Sequence, residues 1–127
     1  MRQQYHFRKI DGHLYIWDVN KIIKSLEGKK PRKVAIAAIK ELDEAYWFEK
    51  GALVTGRDFL HHMRLVNEAS LSYPIILCSE GRLIDGMHRV IKAALLNQES
   101  IYAVQLDSPL APDYVDVDPD TLPYDDD

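Results

Sequence analysis

The residue types with the most chemistry in this chain stand together in the run Asp85-Gly86-Met87-His88-Arg89, with Lys92 shortly after it. A glycine between an apolar strand and a helix lets backbone come close to a ligand. The unpaired N–H groups of the first helical turn then point at whatever lies there. Such a terminus favours anions, phosphate above all. His88 and Arg89 add side-chain donors from that first turn, and an arginine can grip a phosphate through two nitrogens. Lys92 follows His88 at i+4 on the same helix face, and Met87 lines the turn between glycine and histidine. Asp85 could hold a metal ion that bridges phosphates, or accept a proton from an attacking hydroxyl, with His88 as the second catalytic candidate. Each of these residues alone is ordinarily structural; together at one turn they indicate an anion site.

Arg57, His61, Arg64 and Glu68 recur at i, i+4, i+7 and i+11, a stripe that is basic until its end. It reads either as a wall presenting two arginines and an imidazole to the anion, or as an ordinary solvated face. Trp47, beside Tyr46 and Phe48, either plugs the core or lines a base pocket. A second carboxylate is open among Glu41, Asp43 and Glu44. No Cys/His set has zinc-ligand spacing, and adjacent His61 and His62 do not face one way along a helix. Cys78, in an apolar strand, should be inert.

Several elements must position these groups. His13–Trp17 reads as a strand and Asp18 as the N-cap of a helix with Val19, Ile22, Ile23 and Leu26 on its core face and Gly28 as its stop. Residues 34–37 read as a strand and 38–45 as a short helix. Thr55 and Asp58 form a capping-box start for a helix to about Ala69, with Phe59, Leu60, Met63 and Val66 as its apolar stripe. Residues 73–78 and 82–85 read as the two arms of a hairpin. A helix follows from Met87, with Val90, Ile91, Ala94 and Leu95 as its core spacing and Asn97 as its stop, and residues 101–106 form a last strand. This is the α+β class: one small domain over 1–106, a mixed sheet with helices packed on it, and an acidic C-terminal tail over 107–127, partly docked through Tyr114 and Tyr124.

With 127 residues, of which 46% are apolar, the chain is long enough to bury a core. The formal charge of −4 hides an asymmetry, because eight of the 20 acids and none of the 16 bases lie from Asp107 onward. The body is basic, which suits an anionic ligand, and the Asp125–Asp127 end could compete for its anion site at low salt. One cysteine, no apolar run of spanning length and no leader-like start predict a cytoplasmic protein that makes no use of a membrane.

From about Tyr73 to Leu106 the order Pro74-Ile-Ile-Leu, turn, Leu83-Ile84-Asp85-Gly86-Met87-His88-Arg89, apolar helix, strand resembles the ParB/sulfiredoxin superfamily. The wording Asp-Gly-Met-His-Arg, with the later Pro-Asp-Tyr and Leu-Pro-Tyr, is similar to stand-alone bacterial members without an assigned role. The resemblance implies that Gly86, His88 and Arg89 bind nucleotide phosphates, with ATP or CTP and Mg²⁺ as cofactors. Sulfiredoxins carry a catalytic cysteine where this chain has Met87, so sulfinic-acid reduction is not expected. Chromosome-partition relatives add a helix-turn-helix domain, and nothing of that length follows Leu106, so sequence-specific DNA binding is not expected either. Kinases of free serine share the Asp-Gly-x-x-Arg pattern, which gives Asp85 a place in phosphoryl transfer. The expected function is nucleotide binding, with kinase or hydrolase chemistry on a small-molecule or protein acceptor. The alternative is a non-catalytic nucleotide-sensing or DNA-partition-related module, with a homodimer admissible in either case. A nuclease finds little support, since Asp85 and His88 lack a metal-binding carboxylate cluster.

Overall fold

The computed structural model describes residues 3–48 and 51–124. The Asp125–Asp127 end, and any competition by it, lies outside them. The fold is α+β: three helices and two sheets, one of three antiparallel strands and one of four mixed strands. Its residues fall into two compact units, 1–29 with 108–127, and 30–107.

In the first unit, β1 (Tyr5–Ile10) and β2 (His13–Asp18) form a hairpin. Asp11 and Gly12 join them, both at positive φ (51° and 80°), as the tightest hairpin turns require. The pairing opposes Phe7 to Ile16 and His6 to Trp17. Asp18 caps α1 (Val19–Ser25), accepting from the N–H groups of Asn20 and Lys21, as its residue type predicts. The C-terminal segment returns to this unit as a third strand. That strand, β7 (Tyr114–Val115), pairs with β2, Asp113 accepts the Asp18 N–H at 2.8 Å, and the rings of Tyr114 and Tyr124 pack edge-on against Tyr5.

The second unit carries the residues of chemical interest. Its sheet runs β3 (Arg32–Ala35), β6 (Ser100–Gln105), β4 (Ile75–Leu77), β5 (Leu83–Asp85), with β4 and β6 parallel and the other pairs antiparallel. Helix α3 (Met87–Leu95) connects β5 to β6, and its inner face of Met87, Val90 and Ala93 joins Ile75, Leu77, Leu83, Ile101 and Ala103 in one core. Each of the larger side chains among them, isoleucine, leucine, valine or methionine, contributes about 1.5–3 kcal/mol. Helix α2 (Gly56–Glu68) carries the full capping box, Thr55 Oγ1 accepting from the Asp58 N–H and Asp58 accepting from the Thr55 N–H. Asn97, at φ 59°, ends α3 in the left-handed conformation its residue type allows.

Three expectations are corrected. The segment read as a helix over 38–45 is two 3₁₀ turns, Ile36–Ala38 and Lys40–Asp43. A three-residue period puts Ile36, Ile39 and Leu42 on one side, where they meet the core, and a 3.6-residue helix would rotate one of them away. The α2 stripe of Phe59, Leu60 and Met63 is exposed, Phe59 at 60%; the buried or half-buried side is His62, Leu65, Val66 and Ala69, again at i, i+3, i+4 and i+7. Leu95 of α3 is 67% exposed, because the inner face follows Met87, Val90 and Ala93.

Candidate functional site

Asp85 ends β5 and Gly86 is the N-cap of α3, at φ 118° and with no side chain to cap the helix. A left-handed N-cap excludes most side chains, and a Cβ here would sit 2.6 Å from Ile75 Cγ2. The glycine is therefore demanded by the protein's own packing, before any ligand is considered. The strand-turn-helix places His88 and Arg89 in the first helical turn, as the sequence pattern predicts.

The basic groups divide sharply in what they do. Arg89 donates through Nη2 to Asp85 Oδ2 at 2.9 Å and through Nη1 to the carbonyls of Pro74 and Tyr73 at 2.6 and 3.2 Å. It clamps the start of β4 to the end of β5. Lys92 Nζ donates to the carbonyls of Asn67 and Ala69 at 2.8 and 2.7 Å, closing the C-terminal end of α2, where a cation is favoured. Arg57, His61 and Arg64 lie exposed on α2, and the two arginines make no ion pair among the described residues. Met87 belongs to the core beneath the turn, 4% exposed.

His88 is held by His62, a residue outside the anion-site candidates of the sequence. His62 Nδ1 lies 2.9 Å from His88 Nε2, with ring centroids 5.2 Å apart and planes within 22°. With that ring separation the two nitrogens lie close to the line between the ring centres. The gap fits one shared proton, because a metal on that line, at about 2.0–2.1 Å from each nitrogen, would hold them further apart. Trp47 forms a floor under both imidazoles, its centroid 3.8 Å from His62 and 4.4 Å from His88 with nearly parallel planes. This indole face is thus committed to the histidine pair. Phe48 meets His62 edge-on and the His61 ring lies 5.5 Å away. Burial, reinforced by His62 and His61, holds His88 at about 4, and burial with His61 lowers His62 as well. The His88 ring is neutral at pH 7. No local signal marks His62, because the apolar spacing of α2 fits the Phe59, Leu60 and Met63 side and only the packing turns His62 inward with Leu65, Val66 and Ala69.

A second carboxylate stands inside this unit. Glu41 is 4% exposed; its Oε2 accepts from the Leu83 N–H at 3.0 Å and from Arg82 Nε at 2.9 Å, and Arg82 also grips Glu44. Its Oε1 is buried with no hydrogen-bond partner among the described residues. Burial, followed by the charges of Asp85 and Glu41, pushes the Tyr46 phenol up to about 12, which ties those three groups electrostatically.

As a seat for nucleotide phosphates, the turn offers an uncapped helix N-terminus, the free Nδ1 of His88, and Asp85 with one oxygen not used by Arg89. Magnesium is commonly held by one carboxylate plus the phosphates it accompanies, so Asp85 fits that part. Among the described residues no three His, Cys, Asp or Glu side chains converge on a common metal position. No helix among the described residues is long and apolar enough to cross a membrane. The chain matches no protein-family model, no curated protein and no solved structure.

Proposed function

We propose that the Asp85–Arg89 turn binds the phosphates of a nucleoside triphosphate, ATP or CTP, accompanied by Mg²⁺, in a ParB/sulfiredoxin-like fold. The observation that carries this reading is His88: a neutral imidazole with a free nitrogen, braced by His62 and Trp47, in the first turn of a helix whose N-terminus has no side-chain cap. Helix N–H groups and a neutral N–H donor together suit an anion and need no buried cation to balance it. Arg89 supports the turn by clamping it, and Asp85 is the group available to a phosphate-bound Mg²⁺. Phosphoryl transfer or hydrolysis is the chemistry this arrangement would serve, with Glu41 as the nearby buried carboxylate. Calorimetric titration of Mg-ATP and Mg-CTP into the wild type and His88→Ala tests the reading. Saturable binding that the variant loses supports it, and no binding of either nucleotide by the wild type rejects it.

One observation favours a second reading. Asp85, Arg89 and Lys92 are all engaged in internal contacts, as in a binding module that senses a nucleotide without turning it over. Under that reading nucleotide changes the scattering mass or partner affinity and stays intact; phosphate release would favour the enzyme.

A further inference from the structure

We infer that His62 is the positioning residue of this site: by donating its Nδ1–H to His88 Nε2, it forces neutral His88 into the tautomer that offers Nδ1–H to a phosphoanion. The inference deepens the phosphate-binding reading and rests on it. A phosphate oxygen only accepts, and a neutral imidazole has one N–H to give. If His88 gives its N–H to the anion, its Nε2 is bare and must accept a hydrogen bond from a neighbour. The nitrogen within reach is His62 Nδ1, at 2.9 Å and nearly on the line between the ring centres. His62 is in turn held by the Trp47 face, the edge of Phe48 and its place on the inner side of α2. Neither His88 Nδ1 nor His62 Nε2 has a hydrogen-bond partner among the described residues, so one end of the pair is open to a ligand and the other to a proton. The same arrangement explains why α2, which buries only Val66 fully, is tied to α3 through imidazoles.

Long-range ¹H–¹⁵N NMR of the imidazole nitrogens at pH 7.5 reads the tautomers directly, and pyrophosphate titration reads the anion affinity. In the wild type, His88 and His62 should both carry their proton on Nδ1. His62→Ala should release His88 toward the Nε2–H form and weaken pyrophosphate binding about tenfold or more, the loss expected for one hydrogen bond to a charged group. His62→Asn, whose amide can occupy the Nδ1 position as a donor, should restore the Nδ1–H tautomer and most of the affinity. An Nε2–H proton on wild-type His88 overturns the inference, as does His62→Ala binding pyrophosphate like the wild type. Wild-type protein that binds no pyrophosphate or nucleotide, yet holds His88 as Nδ1–H, rejects the phosphate-binding reading and leaves the tautomer lock standing.

Discussion

Replacing Gly86 with alanine probes the turn on which the whole site is built, and the structure sets the size of the effect. Two separate costs arise. At φ 118° an L side chain is strained by about 1–3 kcal/mol. The added Cβ would also lie 2.6 Å from Ile75 Cγ2 and 3.0 Å from Ile75 Cβ. Ile75 is fully buried in the core beside Leu77, Leu83 and Val90, so it cannot move aside freely, and overpacking of this kind costs about 1–3 kcal/mol. Together Gly86→Ala should lose about 2–6 kcal/mol, a large share of the roughly 5–15 kcal/mol that holds a domain folded. Urea denaturation followed by far-UV circular dichroism would show a lower midpoint with unchanged slope. Combining it with Ile75→Ala separates the two costs. That substitution alone should lose about 2–5 kcal/mol through its cavity, and in the Gly86→Ala background about 1 kcal/mol less, because the clashing methyl is gone. A Gly86→Ala loss below about 1 kcal/mol, or strict additivity of the pair, would refute the steric account.

Arg82→Leu strands the buried Glu41 carboxylate and should cost about 3–5 kcal/mol by the same denaturation, whereas Glu41→Gln/Arg82→Leu together should lose less than the two singles combined. Lys92→Ala removes the donor to the last carbonyls of α2 and should cost about 1 kcal/mol, with faster amide exchange at residues 66–69. Stability should also depend on pH through His88. Its folded value of about 4 lies below the ordinary 6.5, so between those values the unfolded chain binds more protons, and acidification through that window destabilises the fold. The contribution, about 1–2 kcal/mol after solvent screening, should vanish from the pH profile of His88→Gln. His6, also held at about 4 by burial, adds a separable slope that His6→Gln removes.

Signals carried by a few neighbouring residues were legible in the sequence: the Asp18 cap, the Thr55/Asp58 box, the β4–β5 hairpin, the glycine turn and the Asn97 stop are each local chemistry. What escaped depends on partners distant in the chain. β1 is the exception, a local miss: Asp11-Gly12 ahead of the His13–Trp17 strand is itself a hairpin signal and marks β1 as the opposite arm. Tyr114–Val115 becomes a strand only because β2 has an edge to receive it. Phe59, Leu60 and Met63 are as apolar as a core stripe, and only the position of α3 determines that His62 and Val66 face inward instead. Arg89 and Lys92 looked like free donors because the carbonyls they satisfy, at residues 67–74, are invisible to side-chain spacing. The His62–His88 pair spans 26 residues, a separation that periodicity does not report.

The central claim, that the start of α3 seats nucleotide phosphates, is tested most directly by ¹H–¹⁵N spectra of the labelled full chain during titration with Mg-ATP and Mg-CTP. The account predicts saturable shifts of the Gly86, Met87, His88 and Arg89 amides and of the His88 imidazole, sharing one dissociation constant. Nucleotide binding that moves other residues and leaves these unmoved, or no shift at millimolar nucleotide, would contradict it.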